Sequence, residues 1–211
     1  MKAIIKSLRS EFITIGIVSL LVLIMHFLFH GNKVLNFSYS IFYLDESFSI
    51  GSILTTAIAF AVFLYSIKVF VLSKGSREKL TYLAFSVVFL AFGFEEAFSF
   101  RDELNTFIKE NIEFLSSAAN FSWIISLGIF VVVFFAFIIY SAIKETKLVK
   151  LSMLGGVLCL LGVVILEIIG GRLYGVSDTY IVAVGIEEFL EMLGLAFFLN
   201  GLALKLDLLK K

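Results

Sequence analysis

The chain contains no proline, a single cysteine and few charged residues, and each shortage narrows what the protein can be. Without proline, a common cause of kinked or interrupted membrane helices is missing, so straight helices are expected. The single thiol, Cys159, has no second cysteine in the chain for dithiol chemistry, which excludes thiol–disulfide exchange within it. Charged residues make up 16% of the 211 residues and the formal net charge is zero, so no nucleic-acid partner is expected.

Hydrophobic residues are abundant instead. They make up 60% of the chain, against about 45–50% in a soluble domain. Six apolar segments each approach the ~20 helical residues that cross a bilayer, and none combines strand periodicity with turn residues. The predicted fold class is therefore all-α: a polytopic integral membrane protein with one domain, residues 1–211, folded as a six-transmembrane-helix bundle. The predicted spans are about residues 12–30, 51–73, 79–100, 119–142, 148–169 and 180–204.

A short amphipathic helix is predicted at the outer membrane surface after span three. Its apolar residues repeat at helical spacing: Leu104, Phe107, Ile108, Ile112 and Leu115. Continuity of this helix with span three would place five polar residues on one helix face: Glu95, Glu96, Ser99, Asp102 and Glu103.

The basic residues predict the orientation of the spans. The chain has seventeen Lys and Arg residues. With both termini in the cytoplasm, all but four of them fall on the cytoplasmic side, as the positive-inside rule requires. The four on the outer side are Lys33, Arg101, Lys109 and Arg172. We therefore expect a multi-pass protein of the cell membrane with cytoplasmic N- and C-termini.

Six glutamates fall within the predicted spans, where ionisable groups are costly and usually functional. In the predicted orientation they lie in the outer half of spans three, five and six, and they are the candidate cation- or proton-binding residues: Glu95, Glu96, Glu167, Glu187, Glu188 and Glu191. Those of span six share one helix arc, which is expected to face the interior. No acidic residue is predicted in the cytoplasmic half of any span.

Two histidines and two arginines lie near the same predicted layer. His26 and His30 are four residues apart, so both imidazoles can point the same way at the outer end of span one. With carboxylates from other helices they could bind a divalent metal ion such as Zn²⁺, Mn²⁺ or iron. This metal-site hypothesis comprises His26, His30, Glu95, Glu96, Glu187 and Glu191. Alternatively, His26 and His30 are only polar residues at the membrane interface. Arg101 and Arg172 either compensate the acidic charge through ion pairs or reach water as helix-end residues.

Two family resemblances can be stated from short motifs. Glu95-Glu96 followed by Arg101 resembles the Glu-Glu-x-x-x-Arg motif of intramembrane CAAX-type proteases. The spacing here is one residue longer and both histidines precede the motif, so this activity is not expected.

The second resemblance covers most of the chain. Three stretches carry it: Leu44-Asp45-Glu46, the acidic end of span three, and Glu187-Glu188-Phe189-Leu190-Glu191-Met192-Leu193-Gly194. Together they resemble a group of prokaryotic six-span membrane proteins of unknown function with acidic pairs in spans three and six. In that group a His-Glu follows the acidic pair of span three, where this chain has Arg101-Asp102. The resemblance implies the six-span fold and no activity.

Three functions fit this pattern. The preferred hypothesis is binding of cations or protons by the outer carboxylates, coupled to transport or conduction. The absence of acidic residues from the cytoplasmic half leaves that pathway incomplete, which favours the alternative of a membrane metalloenzyme or metal-binding protein. The third hypothesis is a structural subunit whose acidic faces dock a membrane partner or a second copy of the chain. The expected partners are thus the lipid bilayer, a cation, and a membrane subunit or homo-oligomer. The pattern identifies no catalytic residue.

Overall fold

The computed structural model describes residues 10–31, 49–111, 122–173 and 177–210. Almost all of these residues are helical, which confirms the all-α class. The helices are α1 Ser10–Gly31, α2 Ile50–Leu72, α3 Ser76–Phe98, α4 Phe100–Asn111, α5 Ser122–Ile143, α6 Lys147–Leu173 and α7 Ser177–Leu209. The Leu44-Asp45-Glu46 motif, and Ile112 and Leu115 of the predicted surface helix, lie outside the described residues.

Four of the described helical segments are long and apolar enough to cross a membrane. They are Ser10–Leu28 of α1, Ile50–Leu72, Ser76–Phe98 and Lys147–Gly170 of α6. Helix α5 contributes a shorter apolar stretch, Val132–Ile143. The outward faces of these helices expose large apolar side chains such as Leu64, Val87 and Leu158. A soluble monomer rarely exposes such extensive apolar surface, whereas lipid tails cover it without cost. The protein is therefore a membrane protein with several spans.

Helix α7 lies at the centre of the described bundle, where it packs against α6, α2 and α1. Four of its apolar side chains have no exposed surface: Met192, Leu195, Phe198 and Leu202. The Phe198 ring also reaches α3, with ring centroids 6.3 Å from Phe85 and 5.2 Å from Phe89. These aromatic contacts join α3 to the central helix, so α7 organises the core.

Glycines bring α6 and α7 close together. A Cβ atom added to Gly156 would lie 2.8 Å from the Phe198 ring and 3.0 Å from the carbonyl oxygen of Gly194. Polar contacts reinforce this approach: Ser152 Oγ donates to the Phe197 carbonyl at 2.9 Å, and Asn200 Nδ2 donates to Ser152 Oγ at 2.9 Å. Small residues and interhelical hydrogen bonds are the usual means of helix association in lipid.

Helices α1 and α6 run antiparallel to α7, which defines two ends of the bundle. At one end His26 of α1 contacts Ile181 of α7, and Gly170 of α6 lies beside Tyr180. At the other end the Phe12 and Phe197 rings are 4.7 Å apart, and Met153 lies against Gly201. We call the first the His26 end and the second the Lys205 end, after a residue of each.

Helix α3 does not continue into α4, which corrects one expectation. Ser99 between them has a left-handed backbone, with φ 52° and ψ 41°, and its N–H donates to the Glu95 carbonyl at 2.7 Å. This break turns the chain, so the single polar face expected from Glu95 through Asp102 and Glu103 does not exist. The Glu103 side chain is exposed on α4. The periodicity argument failed because it assumed an uninterrupted helix.

Candidate functional site

The six predicted glutamates lie inside the bundle to different degrees. Glu96, Glu187 and Glu191 are buried, with 7%, 9% and 3% of their surface exposed. Glu95, Glu167 and Glu188 are half-buried. None of the six belongs to the exposed surface that lipid would cover. The three buried glutamates therefore face the interior of the bundle, as the helix arc predicted for span six.

Two helices place the three buried glutamates. Glu187 and Glu191 are one turn apart on α7, in its first half, and so near the His26 end. Glu96 lies near the end of α3, one turn beyond Gly93, whose missing side chain lets α2 approach: an added Cβ would lie 3.5 Å from Ala59 and from Phe60. Because α2 and α3 run antiparallel, Glu96 reaches the level of Thr55, which has no exposed surface.

His26 is buried at the same end, where its imidazole contacts the backbone of α7. Its Nε2 lies 3.2 Å from the Ile181 carbonyl oxygen of α7, and only 3% of the residue is exposed. A carbonyl oxygen can only accept, so Nε2 carries the proton in this bond. Gly185, one turn further along α7, leaves space for the imidazole: an added Cβ would lie 2.8 Å from His26 Cδ2. His26 therefore attaches α1 to the central helix on the N-terminal side of Glu187 and Glu191.

The described side chains do not gather into a metal site. Within residues 10–31, 49–111, 122–173 and 177–210, no group of three or more His, Cys, Asp or Glu side chains is placed to hold a metal ion. The glutamates thus share one end of the bundle without forming one compact ligand set. The side chains of His30, Arg101 and Arg172 lie outside the described part, so their predicted roles stay predictions.

A second charged cluster lies at the Lys205 end. Lys205 Nζ is 2.6 Å from Glu78 Oε1 of α3 and 3.0 Å from Glu145 Oε2, in the turn between α5 and α6. The hydroxyl of Tyr82 donates to Glu145 Oε1 at 2.8 Å. The Lys205 and Glu145 side chains are only 13% and 14% exposed, and Glu78 is 29% exposed. We call these four residues the Lys205 cluster.

Glu78 of the Lys205 cluster lies within α3, at the end of the bundle opposite the six glutamates, where no acidic residue was expected within a span. Glu78 was missed because span three was predicted to begin at Lys79, whereas α3 begins at Ser76. A usable signal was present in α7. Phe198, Leu202 and Lys205 recur at intervals of four and three residues, so they share a face, and a lysine on a buried face needs a carboxylate partner.

Apolar packing separates the glutamates at the His26 end from the Lys205 cluster; we call these the two charged levels. Glu191 and Lys205 are fourteen residues apart on α7, or about 21 Å at the helical rise of 1.5 Å per residue. Between them lie the fully buried side chains of Met192, Leu195 and Phe198, together with Phe85 and Phe89 of α3. The Asn200–Ser152 pair is a polar contact within this interval. No charged side chain of the described chain lies inside the apolar layer itself.

Comparison with known proteins places the chain in a family. The model of a family described as a domain of unknown function, DUF8692, matches residues 14–204. The chain is a member of the DUF8692 family. The match includes His26 and all six glutamates, and of the Lys205 cluster it includes all members except Lys205, which lies one residue beyond its end. No curated protein and no solved structure matches the chain.

Burial limits the charge states that the glutamates of this DUF8692 member can adopt. A carboxyl group in a low-dielectric interior is protonated, paired with a cationic group or bound to a cation, because an uncompensated charge there is too costly. Each of the three buried glutamates near one end must therefore be neutralised in one of these ways. At the other end, two carboxylates share one lysine, so the Lys205 cluster carries a formal charge of one negative unit when all three groups are ionised.

Proposed function

We propose that this DUF8692 member is a six-span protein of the cell membrane, with both termini in the cytoplasm, that binds protons or small cations at its outer carboxylates and couples this binding to transport or conduction. Helices α5 and α7, of 22 and 33 residues, would supply the two spans beyond the four candidates. The resemblance to six-span proteins with acidic pairs supports the same arrangement.

One observation carries the proposal: the central helix holds two buried glutamates, Glu187 and Glu191, on consecutive turns. A structural helix would gain stability from apolar residues at such positions, since buried carboxylates cost free energy unless a proton, a cationic side chain or a bound cation neutralises them. Their placement at the centre of the bundle supports reversible binding of the species that neutralises them.

The Lys205 cluster supports a pathway with two levels. Along the bundle, the buried carboxylates at Glu191 are followed by the apolar layer at Phe198 and then by the carboxylates that contact Lys205, including Glu145. A dry aromatic layer blocks an open pore, because hydrophobic constrictions exclude water and ions. Protons or cations would therefore cross this layer only when the packing around Phe198 opens transiently, and not through a permanently open pore.

Flux measurements in liposomes test the proposal. Purified protein is reconstituted with a pH-sensitive or cation-sensitive dye inside, and proton, Na⁺ and K⁺ gradients are imposed in turn. Glu191→Gln, which removes the charge and keeps the size, is expected to lower the flux at least tenfold. Glu110→Gln, at an exposed position on α4, is the matched control and is expected to leave it unchanged.

Two results would contradict the proposal. One is flux no higher than in protein-free liposomes for every cation tested. The other is an equal flux for the wild type and Glu191→Gln. Stoichiometric metal in the purified protein, measured by elemental analysis, would favour the metalloenzyme or metal-binding alternative, and a stable co-purifying subunit would favour the docking alternative.

A further inference from the structure

Two cationic side chains converge on one tyrosine at the Lys205 end of the bundle. The Arg77 guanidinium of α3 lies 5.2 Å from the centre of the Tyr140 ring of α5. Lys144, just after α5, has its Nζ 3.9 Å from the same ring centre and 2.5 Å from the Tyr140 hydroxyl oxygen. Cation–π contacts hold both positive charges beside one ring.

Neither of these cations is paired with a carboxylate in the described part of the chain. The neighbouring acids, Glu78 and Glu145, are engaged by Lys205 instead, and Glu145 also accepts from Tyr82. The pKa of Lys144 is lowered by desolvation and by the positive charge of Arg77. Two like charges held together in this way create a positive site that an anion would stabilise.

The start of α3 adds further anion-binding groups. Its N-cap, Gly75, makes no side-chain capping bond, and the first intrahelical bond there is from the Lys79 N–H to the Gly75 carbonyl at 3.0 Å. The N–H groups of the first turn, which includes Arg77, therefore have no intrahelical partner. The positive end of the dipole of this 23-residue helix lies in the same turn as Arg77.

Exposed apolar side chains adjoin this positive site on the membrane side. Leu80, one turn after Arg77 on α3, is 68% exposed. Ile143, next to Lys144 and one turn from Tyr140 on α5, is also exposed, as is Ile139. A free phosphate ion would gain nothing from these side chains, whereas the acyl chains of a lipid would cover them.

We propose that Arg77, Lys144 and the start of α3 bind the phosphate group of an anionic phospholipid, whose acyl chains lie along Leu80 and Ile143. Arginine matches phosphate geometry with paired donors and lysine adds a second charge, as in basic headgroup sites of membrane proteins. The positive-inside pattern places this end at the cytoplasmic leaflet, which is where anionic lipids attract basic residues. The lipid would hold the ends of α3 and α5 together at the membrane surface.

The test compares lipid binding by variants of the full chain. Wild-type protein, Arg77→Gln/Lys144→Gln and the control Lys74→Gln/Lys147→Gln are purified in neutral detergent. The control removes two charges of the same sign from exposed positions outside the site. Phosphatidylglycerol, phosphatidylcholine or inorganic phosphate is then added, and binding is measured by native mass spectrometry and by the midpoint of thermal unfolding.

The proposal expects phosphatidylglycerol to bind and stabilise the wild type and the control alike. Affinity of the Arg77→Gln/Lys144→Gln variant is expected to fall at least tenfold, and phosphatidylcholine and inorganic phosphate are expected to have little effect on any protein. Equal losses in the two double variants would show a general charge effect and overturn the site. Stabilisation by inorganic phosphate as large as by phosphatidylglycerol would overturn the lipid assignment. Because the altered side chains are exposed, unchanged midpoints without lipid will verify that each variant folds.

Discussion

Glu191 is the most deeply buried of the six glutamates, and the cost of its charge makes it the most informative residue to change. A cation that binds the folded state at one site stabilises it by RT ln(1 + [L]/Kd), or about 2.7 kcal/mol at one hundred times Kd. Carboxylates must lose their protons to bind a cation, so this stabilisation is expected to grow as the pH rises from about 5 to 8. Glu191→Gln is expected to remove most of it.

Thermal unfolding measured with a series of mono- and divalent cations checks this expectation. The exposed Glu110→Gln variant serves as control and is expected to respond as the wild type does. If no cation shifts the wild-type midpoint anywhere in that pH range, the outer carboxylates bind no cation, and a protonated, hydrogen-bonded layer is the better account.

Gly156 illustrates how one missing side chain determines helix packing. Gly156→Ala would place a methyl group 2.8 Å from the Phe198 ring and 3.0 Å from the Gly194 carbonyl oxygen. The backbone of α7 would have to move away, at a cost of about 1–3 kcal/mol for an overpacked contact. Gly16→Ala on α1 is the matched control, since nothing lies within 4 Å of an added Cβ there. Equal unfolding midpoints for the two variants would contradict the close approach of α6 and α7.

At the scale of the helices, the Lys205 cluster connects α3, the α5–α6 turn and α7. Lys205→Met would leave two poorly hydrated carboxylates without their cation. Removing one partner of a buried ion pair is expected to cost on the order of 3 kcal/mol, at the lower end of the usual range because Glu78 is partly exposed.

Unfolding of Lys205→Met in a graded denaturant series gives the measurement. Lys74→Met, at an exposed position, is expected to change stability little. Adding Glu145→Gln to Lys205→Met removes one uncompensated charge and is expected to recover part of the loss, which a double-mutant cycle quantifies. A loss that Glu145→Gln does not reduce would mean that Lys205 acts through packing of its aliphatic stem.

For the whole molecule, the membrane orientation is the property on which the depth of each charged level depends. With both termini cytoplasmic, a cysteine at Thr146 in the α5–α6 turn is expected to resist an impermeant thiol reagent applied to intact cells. A cysteine at Glu103 on α4 is expected to react. Both are introduced into a Cys159→Ala background, and permeabilised cells provide the control. The reverse labelling pattern would invert the bundle, and with it the leaflet assigned to the Arg77–Lys144 site.

Local features of the sequence were sufficient to predict part of this structure. Apolar runs predicted the helices to within a few residues, because hydropathy sums over neighbours and a bilayer sets one length scale. The burial of Glu187 and Glu191 was also predictable, since residues one turn apart share a face and charge avoids lipid. The break at Ser99 was not predictable from the sequence, because no proline or glycine marks it. A left-handed serine is stabilised by its surroundings in the fold.

What the sequence by itself determined is therefore the position of each residue along its helix, and with it the depth of the glutamates, His26 and Lys205. Only the tertiary structure decided which of these residues meet. Lys205 contacts Glu78 and Glu145, which are 127 and 60 residues away, and His26 contacts the backbone of Ile181, which is 155 residues away. The physical reason is that depth follows from a constant rise per residue, whereas neighbours depend on how each helix is rotated and on which helix it packs against. Those choices depend on close approaches such as that of Gly156 to Gly194, between residues far apart in the chain.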